Sequence, residues 1–377
     1  MKLALVVPGG VDRSGEYRVI PVLLALIERL AARHELHVFA LHQEADPATW
    51  MLRRARVHNI GDGITRLRAV RAILAQHRRL SGFDIVQSIF SGACGLAAVS
   101  AARLLRIPSV VHMAGGEPVS IPDIRYGGRL GWRGRWQEAV VTAAATAVTA
   151  ASEPELELLS KVGVAARRVP LGVDPVHDWP TREPVARGAG EPARLIHVAS
   201  LNRVKDQPTL LRAVARVATD HPGLRLDIVG DDTLGGEIQR LAQALGLAGQ
   251  VRFHGFLTQR QLHPLMREAH VSVISSRHEA GPVVALEAAA VGVPTVGTAV
   301  GHIAEWAPDA ALAVPVGDDA ALAAALDTVL RDELLRLRLA SAARLRALRE
   351  DADYTVACFE RLYAELLQRP LIASPSP

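Results

Sequence analysis

The sequence predicts an α/β protein with two doubly wound domains, each built on a parallel sheet that helices cover on both faces. Short apolar runs alternate with stretches of helical apolar spacing along most of the chain. The runs are continuous rather than alternating in polarity, which is typical of strands buried on both faces. A length of 377 residues suits two domains better than one.

The first domain opens with a strand, a glycine loop, a helix and a second strand. The apolar run Lys2–Val7 ends at a Pro-Gly-Gly sequence, and helical spacing covers Val19–Leu30. His37–Leu41 then predicts the second strand. Further strands of this domain are predicted at Phe83–Phe90, Pro108–Gly116 and Ala147–Ser152.

Changes in composition set the predicted domain boundaries. Residues 1–174 form the first domain, and residues 175–193, rich in proline, glycine and charge, predict a linker. Residues 194–351 form the second domain, and residues 352–377 form a helix that returns to the first domain, followed by a tail expected to be disordered. Strands of the second domain are predicted at Arg194–Ser200, Arg225–Gly230, Val251–Gly255, Val271–Ser276 and Pro294–Thr298.

Composition and charge argue against several classes of function. An aromatic content of 4% disfavours the stacking surfaces of nucleic-acid-binding proteins. Cys94 and Cys358 are far apart, so neither a disulfide framework nor a zinc site is indicated. The N-terminal apolar run is too short for a signal peptide or a membrane span, so a cytoplasmic location is expected.

The segment Met51–Leu80 is strongly basic, with eight arginines against one acidic residue, Asp62. Two interpretations are open. The arginines form a solvated helix surface, or they attract an anionic membrane surface or a phosphorylated acceptor. The second interpretation predicts peripheral contact with the inner face of a membrane.

The segment Ser275–Thr298 contains a candidate phosphate site. Glu279 lies on a loop after a predicted strand, and Gly281 and Pro282 open a helix, with proline suited to the first helical position. The unpaired amides at the start of a helix bind phosphate or diphosphate groups well. A nucleotide is therefore a candidate ligand of this loop.

The same helix carries Glu287 among alanine, valine and leucine. A carboxylate in such surroundings needs hydrogen-bond donors. Two vicinal hydroxyls of a ribose would supply them, beside a diphosphate held at the start of the helix. The alternative is a surface glutamate that forms a salt bridge with a neighbour.

The stretch HEAGPVVALEAAAVGVPTVGT resembles the glutamate-x7-glutamate motif of retaining, family-4 type glycosyltransferases with the GT-B fold. Other segments are similar to that family in the expected order, and the resemblance is weakest over residues 43–80 and the linker. It implies two Rossmann-like domains that face a central cleft. The similar segments are VVHMAGGE, TAASEPELELL, LGVD, ASLNRVKDQPTLL, RLDIVGD and VRFHGFL.

The resemblance implies roles for individual residues of the second domain. Glu287 binds the ribose, whereas Glu279 and the backbone at Gly281, Pro282 and Val283 face the donor sugar and diphosphate. Lys205 neutralises the diphosphate, which leaves with negative charge and needs preorganised cations.

One position departs from the family. The arginine expected five residues before Lys205 is replaced by Ser200, and the nearest arginine is Arg203. Either Arg203 reaches the phosphate from a displaced position beside Ser200, or it points to solvent and Lys205 acts with the helix start alone.

In the first domain, the resemblance implies that His112, at the end of a predicted strand, contacts the donor sugar near the reacting centre. Gly9 and Gly10 would let the backbone approach the donor or the acceptor. The weaker candidates for acceptor binding are Arg13, Arg18 and Glu117.

The resemblance implies a transferase that moves a sugar with retention from a UDP- or GDP-sugar to a hydroxyl acceptor, possibly lipid-linked or phosphorylated. Synthesis of a polysaccharide, glycolipid or other glycoconjugate would use this reaction. The leaving phosphate oxygen would accept the proton of the acceptor, so neither a protein nucleophile nor a metal ion is expected. Two alternatives remain open, a sugar-nucleotide epimerase of the same fold and a transferase-like subunit that binds without turnover.

Overall fold

A computed structural model describes residues 1–368 of the chain. The chain divides into two compact units. Unit 1 comprises Met1–Leu171 with the helix Ala352–Gln368, and unit 2 comprises Gly172–Asp351. The tail that the sequence predicts to be disordered lies outside the described residues.

Unit 1 is built on an eight-stranded sheet in which only one strand is antiparallel to its neighbour. The strand order is β3-β4-β2-β1-β5-β6-β7-β8, and β3 pairs antiparallel with β4. The sequence analysis did not predict β3, β4 or the two-residue β8. The strands are β1 Lys2–Val7, β2 Glu35–Ala40, β3 Ala48–Leu52, β4 Ala55–Asn59, β5 Ile85–Ile89, β6 Ser109–Met113, β7 Ala147–Ala150 and β8 Arg167–Arg168.

Alternate residues of β1 show how helices cover both faces of this sheet. Leu3 and Leu5 belong to a core shared with the first and last helices of the chain, whereas Ala4 and Val6 belong to a core on the opposite face. The helices of unit 1 are α1 Pro21–Arg33, α2 Thr65–Arg79, α3 Gly92–Leu105, α4 Trp132–Ala144, α5 Glu153–Lys161 and α13 Ala352–Gln368.

Helix α13 packs on unit 1 through buried aromatic side chains. Phe359 and Tyr363 are buried in the same core as α1, and the Tyr363 hydroxyl donates to the Gln87 side-chain carbonyl. The Thr355 hydroxyl donates to the carbonyl of Pro170 at 2.7 Å. Burial of the two rings stabilises the attachment by several kcal/mol, on the order of 2 to 3 kcal/mol for each ring.

Unit 2 is built on a six-stranded parallel sheet in the order β11-β10-β9-β12-β13-β14. The sequence analysis predicted all of these strands except β14. The strands are β9 Arg194–Val198, β10 Arg225–Val229, β11 Val251–Gly255, β12 Val271–Ile274, β13 Thr295–Thr298 and β14 Ala311–Val314. The helices of unit 2 are α6 Gln207–Ala218, α7 Glu237–Ala244, α8 Gln259–Glu268, α9 Val283–Ala290, α10 Gly301–Trp306, α11 Asp319–Arg331 and α12 Glu333–Arg349.

Residues 175–193, for which the sequence predicts a linker, lie within unit 2. Trp179 is fully buried there, and its ring contacts that of His263 at 4.3 Å between centroids. The Arg182 amide donates to the carbonyl of Ala290 at the end of α9, at 3.0 Å. This segment therefore packs against unit 2. The prediction of an α/β class with two doubly wound parallel sheets is confirmed.

Candidate active site

The loops that follow β9 and β12 bring a lysine and a carboxylate together. The Lys205 ammonium donates to Glu279 Oε1 at 2.6 Å, and the Ser276 hydroxyl donates to the same oxygen at 2.6 Å. Both charged side chains are partly exposed, at 25% and 15% of their surface. The ion pair is thus accessible to a ligand yet sheltered enough to interact strongly with one.

Backbone contacts fix the position of this pair. The Ser275 hydroxyl donates to the carbonyl of Lys205 at 2.8 Å, and the Arg277 amide donates to the carbonyl of Val204 at 2.7 Å. The Lys205 amide in turn donates to the side chain of Asn202 at 3.2 Å. The loop after β9 is therefore tied directly to the loop after β12.

Helix α9 begins beside this ion pair. Pro282 occupies the N-cap position and not the first helical position predicted for it, and the helix begins one residue later, at Val283. Proline has no amide hydrogen, so the donors at this end come from the residues that follow it. Free amides at the start of a helix are donors of the kind that bind phosphate groups.

Gly301 allows the next loop to approach this position. Its φ is +46°, and a Cβ there would lie 2.7 Å from Pro282 Cδ and 2.9 Å from the carbonyl oxygen of Glu279. Any larger residue would displace the start of α9 or the loop that carries Glu279. This close packing therefore fixes the start of α9 and the loop that carries Glu279 relative to each other.

Glu287 is buried in the second turn of α9, with 6% of its surface exposed. Burial raises its pKa to about 7, and the side chains of Trp179 and Gln259 oppose this shift. Within residues 1–368, neither the Trp179 indole nor the Gln259 amide nitrogen makes a hydrogen bond of normal geometry. The carboxyl group therefore lies close to donors that satisfy it incompletely.

Arg203 and Ser200 do not join this cluster. The Arg203 guanidinium forms two hydrogen bonds with Glu237, at 2.9 and 2.8 Å, on the exposed surface. Ser200 is exposed, and its carbonyl accepts from the buried side chain of Gln207 at 3.2 Å. Of the two alternatives for Arg203, the structure favours the one in which it points away from the phosphate site.

Two residues that shape this site were not identified from the sequence. Gln207 is fully buried and bonds both His197, at 3.2 Å, and the carbonyl of Ser200, which fixes the loop that carries Lys205. Trp179 faces Glu287 from the segment predicted to be a linker. A tryptophan within a polar, proline-rich stretch was the only sequence signal for the second of these.

His112 lies near the end of β6, as the sequence predicts, and its ring is fully buried. Its Nδ1 lies 2.9 Å from the Thr149 hydroxyl, and Phe359 packs edge-on against it at 5.7 Å between ring centroids. Burial lowers its pKa to about 3, so the imidazole is neutral. Its Nε2 is buried and has no hydrogen-bond partner among the described residues, and the contact with a donor sugar stays a prediction.

Contacts within unit 1 require a glycine at position 10 more strictly than at position 9. Gly10 has a φ of +78°, and a Cβ there would lie 2.6 Å from Ile20 Cγ1. A Cβ on Gly9 would lie 3.3 Å from the side-chain oxygen of Gln43, which a small shift would relieve. The approach of a donor or acceptor to these glycines stays a prediction.

The three residues predicted to bind an acceptor differ in the contacts they make within unit 1. Arg13 forms a bidentate ion pair with Glu44 at 2.7 Å, whereas Arg18 is exposed. Glu117 accepts from the Ser91 amide at 2.9 Å, and burial raises its pKa. The Glu117 contact holds two loops of unit 1 together, whereas Arg13 and Arg18 are both exposed.

Residues 1–368 contain no group of three or more His, Cys, Asp or Glu side chains arranged to hold a metal ion. In the same part of the chain, no helix is both long and apolar enough to cross a bilayer.

Two family models match adjacent parts of the chain. Residues 21–177 match Glycosyltransferase Family 4, and residues 182–346 match Glycosyl transferases group 1. The second match contains Lys205, Glu279 and Glu287. The site described above therefore lies in the part of the chain that matches the second model.

Curated relatives match over part of their length. Glycogen synthase of Mycobacterium tuberculosis is 36% identical over 169 residues, which cover 44% of this chain and 41% of the synthase. D-inositol 3-phosphate glycosyltransferase of Geodermatophilus obscurus is 34% identical over 218 residues, which cover 53% of this chain and 48% of that protein. The aligned region thus spans less than half the length of these two relatives.

Solved structures match over nearly the whole chain. Sucrose-phosphate synthase of Thermosynechococcus elongatus has a TM-score of 0.81 at 20% identity and covers 97% of this chain and 99% of its own. HepE of Anabaena, solved in complex with UDP and glucose, has a TM-score of 0.76 at 17% identity, with coverage of 97% and 100%. These similarities confirm the fold of two Rossmann-like domains.

The raised pKa of Glu287 predicts a pH-dependent stability. The unfolded carboxyl ionises near its model value of 4.5 and the folded one near 7, so ionisation opposes folding as the pH rises between these values. Glu287→Gln should therefore become more stable relative to the wild type between pH 5 and pH 8, by up to about 3 kcal/mol. Urea denaturation at both pH values measures the difference.

The exposed Glu157 provides the control, since Glu157→Gln should give the same stability difference from the wild type at both pH values. A packing defect of the glutamine would be equal at pH 5 and pH 8. A Glu287→Gln difference that does not change with pH would show that this carboxyl group has an ordinary pKa.

Proposed function

The chain belongs to the family-4 type of glycosyltransferases with the GT-B fold, and we propose that it transfers a sugar from a nucleotide diphosphate sugar to a hydroxyl acceptor with retention at the anomeric carbon. The observation that carries this proposal is the Lys205–Glu279 ion pair at the start of α9, with Glu287 one turn further along the same helix. A cation, helix amides and a buried carboxyl group are the chemistry that binds a diphosphate and a ribose.

Binding of the donor would use each of these groups. The diphosphate lies against the first amides of α9 and the Lys205 ammonium, which then interacts with both a phosphate oxygen and Glu279. The ribose hydroxyls donate to the Glu287 carboxylate and supply the hydrogen bonds that Trp179 and Gln259 provide only in part. Glu279 keeps one oxygen available to accept from a hydroxyl of the sugar.

Transfer breaks the bond between the anomeric carbon and the phosphate oxygen, and the bonding electrons leave with the nucleoside diphosphate. The acceptor oxygen forms the new bond on the same face, and its proton passes to the departing phosphate oxygen. Lys205 and the start of α9 stabilise the charge that develops on the diphosphate. No protein nucleophile or bound metal ion is needed for this route.

UDP is the nucleotide to test first. HepE was solved with UDP and glucose, and a second neighbour, the trehalose-6-phosphate protein of E. coli, was solved with UDP-2-fluoro glucose. A UDP-sugar is therefore the donor that these structural neighbours suggest, and a hydroxyl group of a saccharide or glycolipid is the acceptor class.

A second candidate is a transferase-like protein that binds a nucleotide sugar without turnover. The observation in its favour is that Arg203, the arginine nearest to Lys205 in the sequence, is paired with Glu237 on the surface of unit 2. Donor binding without release of UDP would distinguish it from the transferase.

Calorimetric titration with UDP tests the ribose contact. Glu287→Ala removes a charged hydrogen-bond acceptor, which should weaken UDP binding by about 1.5 to 3 kcal/mol, or tenfold to a hundredfold. Glu157→Ala, a change of the same kind at an exposed position, should bind UDP as the wild type does. Equal affinity of wild type and Glu287→Ala would rule out the ribose contact.

Hydrolysis or transfer of UDP-glucose tests the role of Lys205. Lys205→Gln should lower kcat about a hundredfold or more, because a cation that stabilises the leaving group is removed. Arg203→Gln should change kcat less than about threefold, since its guanidinium bonds Glu237 on the surface. The opposite order of effects would assign the diphosphate to Arg203 and contradict the arrangement proposed here.

A further inference from the structure

Three helices lie side by side on one face of the unit 1 sheet. Helix α3 contacts α2 on one side and α4 on the other. Buried residues of α2 and α3, including Ala69 and Ala98, share a core with Ala4 and Val6 of the sheet, and Val99 of α3 shares a second core with Val141 of α4. We call the outward surface of α2, α3 and α4 the three-helix face.

The three-helix face carries positive charge alone. Helix α3 adds Arg103, and α4 adds Arg133 and Arg135, all exposed. In these three helices, all of which are fully described, the single acidic residue is Glu138, and it is buried and bonded to Arg129 at 3.2 Å. The exposed arginines of α2 are Arg66, Arg68, Arg71, Arg78 and Arg79.

The opposite face of the same sheet differs in charge. Helices α1 and α13 carry acids as well as arginines there, and these form ion pairs. Arg29 lies 3.1 Å from Asp353, and Arg33 lies 2.9 Å from Glu360. The excess of positive charge is therefore a property of the three-helix face and not of unit 1 in general.

Each helix of this face also exposes large apolar side chains. Trp132 and Trp136, one turn apart on α4, are 68% and 62% exposed. Leu67 of α2 is 59% exposed, and Leu104 of α3 is 65% exposed. Tryptophan beside arginine is typical of surfaces that enter the headgroup region of a bilayer, where the ring is partly buried and the cation meets phosphate.

The chain before α4 holds the tryptophans in a defined position. A Cβ on Gly134 would lie 1.9 Å from the carbonyl oxygen of Gly128, and the Gly128 amide donates to the carbonyl of Gly116 at 2.8 Å. Such close backbone contacts leave the start of α4 little freedom. Trp132 and Arg133 are thus presented by a packed scaffold.

A cavity beside α4 is also lined by arginine and apolar side chains. It has a volume of about 620 Å³, and Arg129, Arg135, Trp136 and Glu138 line it together with apolar residues such as Val162. Arg129 is paired with Glu138 at 3.2 Å, so the Arg135 guanidinium beside the apolar wall is the group that suits a phosphate headgroup with its acyl chains.

We propose that the three-helix face docks on the surface of an anionic phospholipid bilayer. Its arginines meet the anionic headgroups, and Trp132, Trp136, Leu67 and Leu104 enter the boundary between headgroups and acyl chains. A nucleic acid would share the charge complementarity, but leucine side chains on two of the three helices offer nothing that stacks on bases. This proposal concerns unit 1 and does not depend on the donor chemistry of unit 2.

Vesicle flotation of the full chain tests the proposal. The protein should float with vesicles of phosphatidylcholine containing about 30% phosphatidylglycerol and not with phosphatidylcholine alone, and about 0.5 M salt should weaken binding. Replacing Arg66, Arg71, Arg133 and Arg135 with glutamine should lower the partition coefficient at least tenfold. Trp132→Ser with Trp136→Ser should lower it as well and abolish the blue shift of tryptophan fluorescence on binding.

The matched control changes four exposed arginines of unit 2, Arg225, Arg252, Arg260 and Arg338, to glutamine. It has the same net charge as the first variant and should bind vesicles as the wild type does. Circular dichroism of both quadruple variants verifies that they are folded. Flotation that is absent, independent of phosphatidylglycerol, or reduced equally by both quadruple variants would overturn the proposal, and so would binding to a single-stranded RNA in place of vesicles.

Discussion

A carboxyl group enclosed in an apolar helix is the constraint on which the site of unit 2 depends. Glu287 lies among buried alanine and leucine residues of α9, and its pKa of about 7 reflects the free-energy cost of ionising it there. An alanine at this position would avoid that cost. The glutamate is nevertheless present, and the hydrogen-bond donors near its carboxyl group satisfy it incompletely. In the function proposed above, the ribose of a nucleotide completes its hydrogen bonds.

The backbones of the loops around α9 pack tightly against neighbouring residues. Gly301 lies against Pro282, and the carbonyl of Lys205 accepts from Ser275 on the neighbouring loop. Gly230, with a φ of +145°, lets the loop after β9 approach the end of β10, since a Cβ there would lie 2.1 Å from the carbonyl oxygen of Ala199. In the function proposed above, these contacts hold the Lys205 ammonium and the start of α9 in place for a diphosphate, which is what electrostatic stabilisation requires.

Much of the fold follows from the sequence because its strands are continuous apolar runs bounded by glycine and proline. The elements that were missed have weaker signals. Strands β3 and β4 form an edge hairpin of two five-residue strands in which polar and apolar residues do not follow exposure, since Met51 is exposed while His58 and Asn59 are buried. Strand β14 is a four-residue alanine-rich strand whose composition equally suits a helix.

The candidate site was predictable from the sequence only where a charged residue stands at a position that requires a partner. Glu287 and Lys205 attract notice because a buried carboxylate and a lysine near a helix start need partners, and the roles assigned to them remain predictions. The strand position of His112 was predictable, but its contact with Phe359 was not, because Phe359 lies far along the chain. Trp179 was overlooked because the polar residues around it hide a buried ring.

A crystal structure of the protein with UDP would test the donor site most directly. The expected result is a diphosphate at the start of α9 within hydrogen-bond distance of Lys205 Nζ, with both ribose hydroxyls on the Glu287 carboxylate. A nucleotide bound elsewhere, or bound with its ribose away from Glu287, would contradict the explanation offered for this buried carboxyl group.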